Sequence, residues 1–312
     1  MSGRSRVEIP AGLEARRALG APWGAWLDRL PGLVEGLQED WELTIEGAPR
    51  HGYCSLVLPV GTAEAEPAML KVAFPDEESE HEALGLTTWA GNGAVRLLRA
   101  DPRRRALLLE RLDADASLAA VPDLDACEVV AGLYARLHVP APGRLRPLTS
   151  YVDRWAADLA ALPARGPLPR RLVEQATSLA RDLVADPASD GTLIHADLHF
   201  DNVLRGRREP WLAIDPKPVS GDPHFEPAPM LWNRWDEVVA GDGVRPAVRR
   251  RFHTLVDAAR LDEDRARDWA IVRMVLNASW TVRDAQRSGA ALTAVDQEWV
   301  TTCIAIAKAV QD

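Results

Sequence analysis

Lysine is almost missing from this chain: of 37 basic residues only Lys71, Lys217 and Lys308 are lysines. Where arginine is the default cation, a retained lysine marks a place that calls for a compact point charge and not a broad planar fork. Cysteine is scarce too. Cys54, Cys127 and Cys303 are widely spaced and odd in number, which excludes a disulfide framework or a zinc site and suits a reducing cytoplasm. No apolar run approaches the ~20 residues that span a bilayer. The opening MSGRSRVEIPAG has basic residues but no apolar stretch behind them, so neither a membrane span nor a secretory leader is expected. Excess positive charge is also lacking. A net charge of −9 argues against the basic face of a nucleic-acid binder and is compatible with a cationic small molecule. There are no internal repeats and no low-complexity tract, and nothing implies a protein partner.

What remains is an ordinary globular composition, 47% apolar and 27% charged, in a chain of 312 residues, long enough for two lobes. The first 40 residues read as helical, punctuated by Pro10, Pro22 and Pro31, with Trp23, Trp26, Leu27, Leu30, Leu33 and Leu37 at helical spacing. Strand-like pieces follow at Leu43–Ile45, Ser55–Leu58 and Met69–Phe74. In the last of these Leu70, Val72 and Phe74 share a face and Lys71 takes the other. PDEESEHEALGLTTWAG reads as a helix with Glu77, Glu78, Glu80 and Glu82 at its positive end and Gly91 past its close. Val95–Leu98 and Ala106–Leu109 make a further strand pair turned at ADPRR. From about residue 115 the pattern is helical, apart from two short strands around the turn GRREP. Strands with one helix, then mostly helices, predict an α+β chain whose small strand-rich lobe joins a larger helical lobe near residues 110–113.

TLIHADLHFDNVLRGRREPWLAIDPKP carries the chemistry. His195, Asp197 and Asn202 form H-x-D-x-x-x-x-N, followed by a hydrophobic strand and Asp215. Phosphoryl transfer from ATP asks for one carboxylate to orient the acceptor hydroxyl and take its proton, the part expected of Asp197. It also asks for oxygen ligands for Mg²⁺, and Asn202 and Asp215 supply them. His195 is expected to brace the loop. Lys217, two residues past Asp215, is open to either of two partners, a phosphate or a carboxylate.

This motif resembles that of the protein-kinase-like fold, in the branch containing aminoglycoside phosphotransferases. EHEALGLTTWAGNGAVRLL, LLLERLDADASL and IDPKPVSGDPHFEPAPMLWNR look like the branch of streptomycin 6-kinases and hydroxyurea phosphotransferases, over roughly residues 40 to 290. The resemblance implies a bilobal kinase-like fold, with an N-terminal nucleotide-binding lobe over residues 1–112 and a helical lobe over 113–312 that holds the acceptor. It assigns Lys71 to the α/β-phosphates of ATP, Glu82 to the helix position that pairs with it, and Glu110 and Leu112 to a hinge at the nucleotide. It departs from protein kinases in having Ala196 inside H-x-D, Pro216-Lys217 after the metal aspartate, and only Gly52 in the phosphate loop APRHGYCS.

Trp232, Trp235, Trp269 and Trp280 sit among Asp222, Glu226, Asp236, Glu237 and Asp284. Tryptophans at helical spacing are usually core, yet carboxylates beside aromatic faces also suit guanidinium or ammonium groups. Asp222, Glu226, Trp232, Asp236 and Asp284 are therefore candidate contacts for a cationic acceptor such as streptomycin, with hydroxyurea or a metabolite as alternatives. From another class, the alternating His195-x-Asp197-x-His199-x-Asp201 has the spacing of a metal-dependent hydrolase, although that reading leaves Asn202, Asp215 and Lys71 idle.

Overall fold

The computed structural model describes residues 7–162, 166–241, 243–287 and 289–311. The chain divides into two compact units. One takes the chain up to Asp113 together with Gly206–Pro210, and the other Ala114–Arg205 and the chain from Trp211 onward.

The first unit opens with α1 (Ala11–Glu14) and α2 (Ala21–Asp40). Pro22 stands in the first turn of α2, where a missing N–H costs nothing, but Pro31 lies inside the helix and does not end it. The helix continues because Trp26, Leu27, Leu30, Val34 and Leu37 form one stripe buried against the sheet. That sheet holds β1 (Thr44–Ile45), β2 (Arg50–His51), β3 (Ser55–Gly61), β4 (Pro67–Ala73), β5 (Leu97–Asp101) and β6 (Ala106–Glu110). Its order is β1-β3-β4-β6-β5, with β2 on β3, and the recorded pairings are antiparallel. Leu56, Leu58 and Val60 on β3, Leu70 and Val72 on β4, and Leu108 on β6 meet the stripe of α2, while Trp23 stacks on Phe74 with ring centroids 3.9 Å apart.

Helix α3 spans Glu82–Trp89, shorter than the sequence pattern suggested. Glu77, Glu78 and Glu80 lie before it and not within it. The reason is local: the Asp76 carboxylate accepts the Ser79 N–H at 2.7 Å, a turn that competes with helical hydrogen bonding. Only Glu82 remains to begin the helix.

The second unit contains all but the first residue of β7 (Asp113–Ser117), then α4 (Asp123–Leu137), β8 (Val139–Pro140), α5 (Leu148–Ala160), α6 (Arg170–Ala185), β9 (Thr192–Ile194), β10 (Val203–Arg205), β11 (Leu212–Ala213) and β12 (Val219–Gly221). It closes with α7 (Ala228–Trp232), α8 (Trp235–Ala240), α9 (Val244–Ala259), α10 (Glu263–Arg287) and α11 (Ala294–Ala309). Buried Trp269, Ile271, Val272, Met274, Val275 and Leu276 cover more than one side of α10, so this helix runs through the core. Two small sheets, β11-β10-β7 and β12-β9-β8, frame the motif-bearing loops. Strand β12 corrects the expectation of helix throughout beyond the GRREP turn. Its three residues are too few to show a period, and pairing with β9 makes them a strand. Cys127 and Cys303 are buried thiols outside any disulfide, and burial pushes both up to about 12. No described helix is long and apolar enough to cross a membrane.

Candidate active site

In the first unit, Lys71 faces away from Leu70 and Val72 on β4 and meets the first residue of α3. Its Nζ donates to both oxygens of Glu82, at 2.6 and 2.8 Å, and both side chains are buried. A buried pair held from two elements is a rigid placement for an ammonium group. Glu110 ends β6, where its carboxylate accepts from the Arg96 N–H at 2.7 Å and from Arg208 at 2.8 and 3.0 Å. The Glu110 side chain is thereby engaged by protein groups, and Leu112 lies half-buried just past the strand. Arg208 also donates to the Ala94 carbonyl, which explains why the Gly206–Pro210 turn belongs to this unit. The loop with Gly52 is the tip of the β2–β3 hairpin, closed by Gly52 N–H donating to the Ser55 carbonyl at 3.0 Å.

In the second unit, two loops are tied into one body. Asp197 and Asn202 lie between β9 and β10, whereas Asp215 and Lys217 lie between β11 and β12. Strand pairing joins both sides: Val203 to Ala213, and Ile194 to Val219. Between those anchors, Ile214 N–H donates to the Asn202 carbonyl at 2.8 Å and Lys217 N–H to the His195 carbonyl at 2.9 Å. Ala196 and Asp215 both adopt positive φ, 64° and 54°, the sort of constrained backbone that persists only where its surroundings impose it.

Each side chain of the motif has a defined task in this frame. His195 is fully buried. Its Nε2 lies 3.0 Å from the Ile214 carbonyl, and its Nδ1 accepts from Asp197 N–H at 3.3 Å, a pattern that requires the neutral ring with the proton on Nε2. Burial accordingly holds its pKa below the ordinary imidazole value. The Asn202 amide nitrogen donates to the Asp197 carbonyl at 2.8 Å, which leaves its oxygen as the atom with which it can ligate a cation. Lys217 Nζ donates to Asp197 Oδ2 at 3.0 Å, so a carboxylate is one partner of this lysine.

Residues expected at the acceptor are dispersed. Asp222 is buried, with Oδ2 accepting from Trp269 Nε1 at 2.6 Å and Arg265 Nε at 2.5 Å, and Oδ1 beside the backbone and ring nitrogens of His224. Glu226, fully buried, accepts the His195 N–H on Oε1 at 2.5 Å and lies 3.6 Å from His138 Nε2, while its Oε2 makes no hydrogen bond among the described residues. Both carboxylates brace the site from within and present no face to a soluble molecule, which corrects their reading as acceptor contacts. Trp232 is half-buried, edge-on to Trp299. Asp236, on α8, and Asp284, on α10 beside Arg287, are exposed. The hydrolase spacing has no matching donor cluster: both His195 nitrogens meet backbone groups, and no set of three or more His, Cys, Asp or Glu among the described residues forms a metal-holding group.

Known proteins share this arrangement of chain. The aminoglycoside/hydroxyurea antibiotic resistance kinase family matches residues 40–285. The chain belongs to that family. Among family relatives, a streptomycin 6-kinase of Streptomyces glaucescens is 46% identical over 290 residues, covering 91% of this chain and 94% of the relative. A hydroxyurea phosphotransferase of Kitasatospora aureofaciens is 44% identical over 291 residues, covering 90% and 82%. The crystal structure of an aminoglycoside phosphotransferase with ADP and hygromycin B shares the fold, with a TM-score of 0.56 at 15% identity over 89% of this chain and 98% of that one. This antibiotic resistance kinase is thus a protein-kinase-like phosphotransferase that acts on a hydroxyl group.

Proposed function

We propose that this kinase transfers the γ-phosphoryl group of ATP to a hydroxyl of streptomycin, with Asp197 as the base. The carrying observation is the single braced body formed by the two loops, in which Asp197, Asn202 and Lys217 converge and Asp215 is joined through the Ile214–Asn202 hydrogen bond. Asp197 orients the acceptor hydroxyl and takes its proton while the oxygen–phosphorus bond forms and the bond to the departing ADP breaks. Asn202 Oδ1 and the Asp215 carboxylate are hard oxygen donors that fit Mg²⁺, which when bound screens the charge of the phosphates. Lys71, held by Glu82, serves the α- and β-phosphates, and Glu110–Leu112 is the hinge segment beside the nucleotide. The chain up to residue 112 is the nucleotide lobe, and residues 113–312 carry the base, the metal ligands and the acceptor site.

Streptomycin is favoured by the 46% identity to a streptomycin 6-kinase across nearly its full length. Its guanidinium groups suit the acidic chain, and exposed Asp236 and Asp284 with the half-buried Trp232 are acceptor contacts on this reading. Hydroxyurea is the second reading, carried by the 44% identical phosphotransferase. Incubating the protein with ATP, Mg²⁺ and streptomycin, hydroxyurea or neutral sugars, with mass spectrometry for phosphate addition, separates them. Phosphorylated streptomycin is the expected product, and its absence beside phosphorylated hydroxyurea would overturn the first reading.

A further inference from the structure

Lys217 is one of three lysines among 37 basic residues. Lys308 is exposed near the end of α11, so only Lys71 and Lys217 sit beside motif carboxylates, and each is paired with one. The Lys217–Asp197 contact is built from both sides. Lys217 N–H is fastened to the His195 carbonyl, and Asp197 N–H to the His195 ring, so His195 sets the separation of the two residues. Nζ then takes Oδ2 at 3.0 Å, while Oδ1 accepts no hydrogen bond among the described residues. The pair keeps 31% and 17% of its side-chain surface in solvent, an exposure at which an ion pair adds little to folding. A mere stability role would not demand lysine in an arginine-rich chain.

We infer that Lys217 is a positioning residue: by holding Oδ2 it fixes the Asp197 carboxylate so that Oδ1 is presented to the acceptor hydroxyl. This rests on the reading of Asp197 as base. A forked guanidinium at the same place engages both carboxylate oxygens and blocks the presented one, so lysine and arginine are not equivalent here.

A double-mutant cycle on the full chain tests it, with ATP and streptomycin as probes and hydroxyurea in parallel. Lys217→Met should lower kcat about 10–100-fold, the worth of one charge-assisted hydrogen bond, with both KM values within about threefold. Lys217→Arg should recover only part of that loss. Added to Asp197→Asn, Lys217→Met should cost no more than about twofold further, because the group through which it acts has changed. Additive losses in the cycle, a KM effect with kcat intact, or full rescue by arginine would each overturn the inference. Should Lys217→Met fold poorly, Lys217→Gln and Lys217→Arg carry the same comparison. An active Asp197→Asn would remove the reading of Asp197 itself, whereas an inactive one beside an unimpaired Lys217→Met would remove only the role of Lys217.

Discussion

Replacing Asp222 by asparagine separates a carboxylate that braces the fold from one that binds the acceptor. Oδ2 accepts from Trp269 Nε1 and Arg265 Nε, and Oδ1 from His224 N–H. The His224 ring also donates to Oδ1, because its Nε2 accepts the Asp262 N–H and the proton must sit on Nδ1. An asparagine has one oxygen, so either orientation aims an NH2 group at two donors. Two hydrogen bonds to a buried charge, at about 1.5–3 kcal/mol each, set a ceiling of about 6 kcal/mol. Arg265 keeps some solvent and a second carboxylate in Asp186, which lowers the expected cost to about 3 kcal/mol. For a unit of this size that is a fall of about 6–12 °C in the thermal midpoint at pH 7. Burial alone would raise the Asp222 pKa, but the hydrogen bonds from His224 and Trp269 outweigh it and hold the group below the ordinary carboxylate value. Its stabilisation is therefore present above that ordinary value and lost as pH falls through the depressed one, so the deficit of the variant should shrink below about pH 4. Calorimetric scans of both proteins at pH 7 and in the acid range are the assay. An unchanged midpoint with a raised KM for streptomycin would refute the bracing role.

Three further outcomes are expected. Asp215→Ala should abolish Mg²⁺-dependent ATP affinity, and equal affinities by titration calorimetry would point to a different ligand. Lys71→Met removes the cation that faces buried Glu82 and should cost about 3 kcal/mol, the low end for breaking such a buried pair. Urea midpoints should show most of that loss recovered in Lys71→Met with Glu82→Gln, and no recovery would mean that the pair contributes little. Because burial keeps His195 neutral in the fold while the unfolded chain protonates near 6.5, the unfolded state binds more protons below that pH. Stability should accordingly fall between about pH 7 and 5, more in the wild type than in His195→Asn, and parallel slopes would exclude the effect.

Local chemistry was written in the chain. His195, Asp197, Asn202 and Asp215 are residue types at a spacing that suits phosphoryl transfer, the resemblance adds Lys71 and Glu82 to them, and the strand–helix pattern around them needs only period and turn residues to read. The stripe on α2 is visible at helical spacing for the same reason, Pro31 notwithstanding. Choosing among like residues required the fold. Nothing in the row of acids from Asp76 to Glu82 tells which one begins α3, because that depends on the Asp76–Ser79 turn and on where β4 holds Lys71. Asp222 and Glu226 read as acceptor contacts until Arg265, Trp269 and His195, distant in sequence, close around them. Strand β12 exists only because β9 lies beside it. Lys217 had two possible partners in the sequence, and only the hydrogen bonds that fasten it to the His195 loop show that its side chain reaches Asp197. Burial and partnership are properties of three-dimensional proximity, whereas spacing reports only on what one segment of backbone can do by itself.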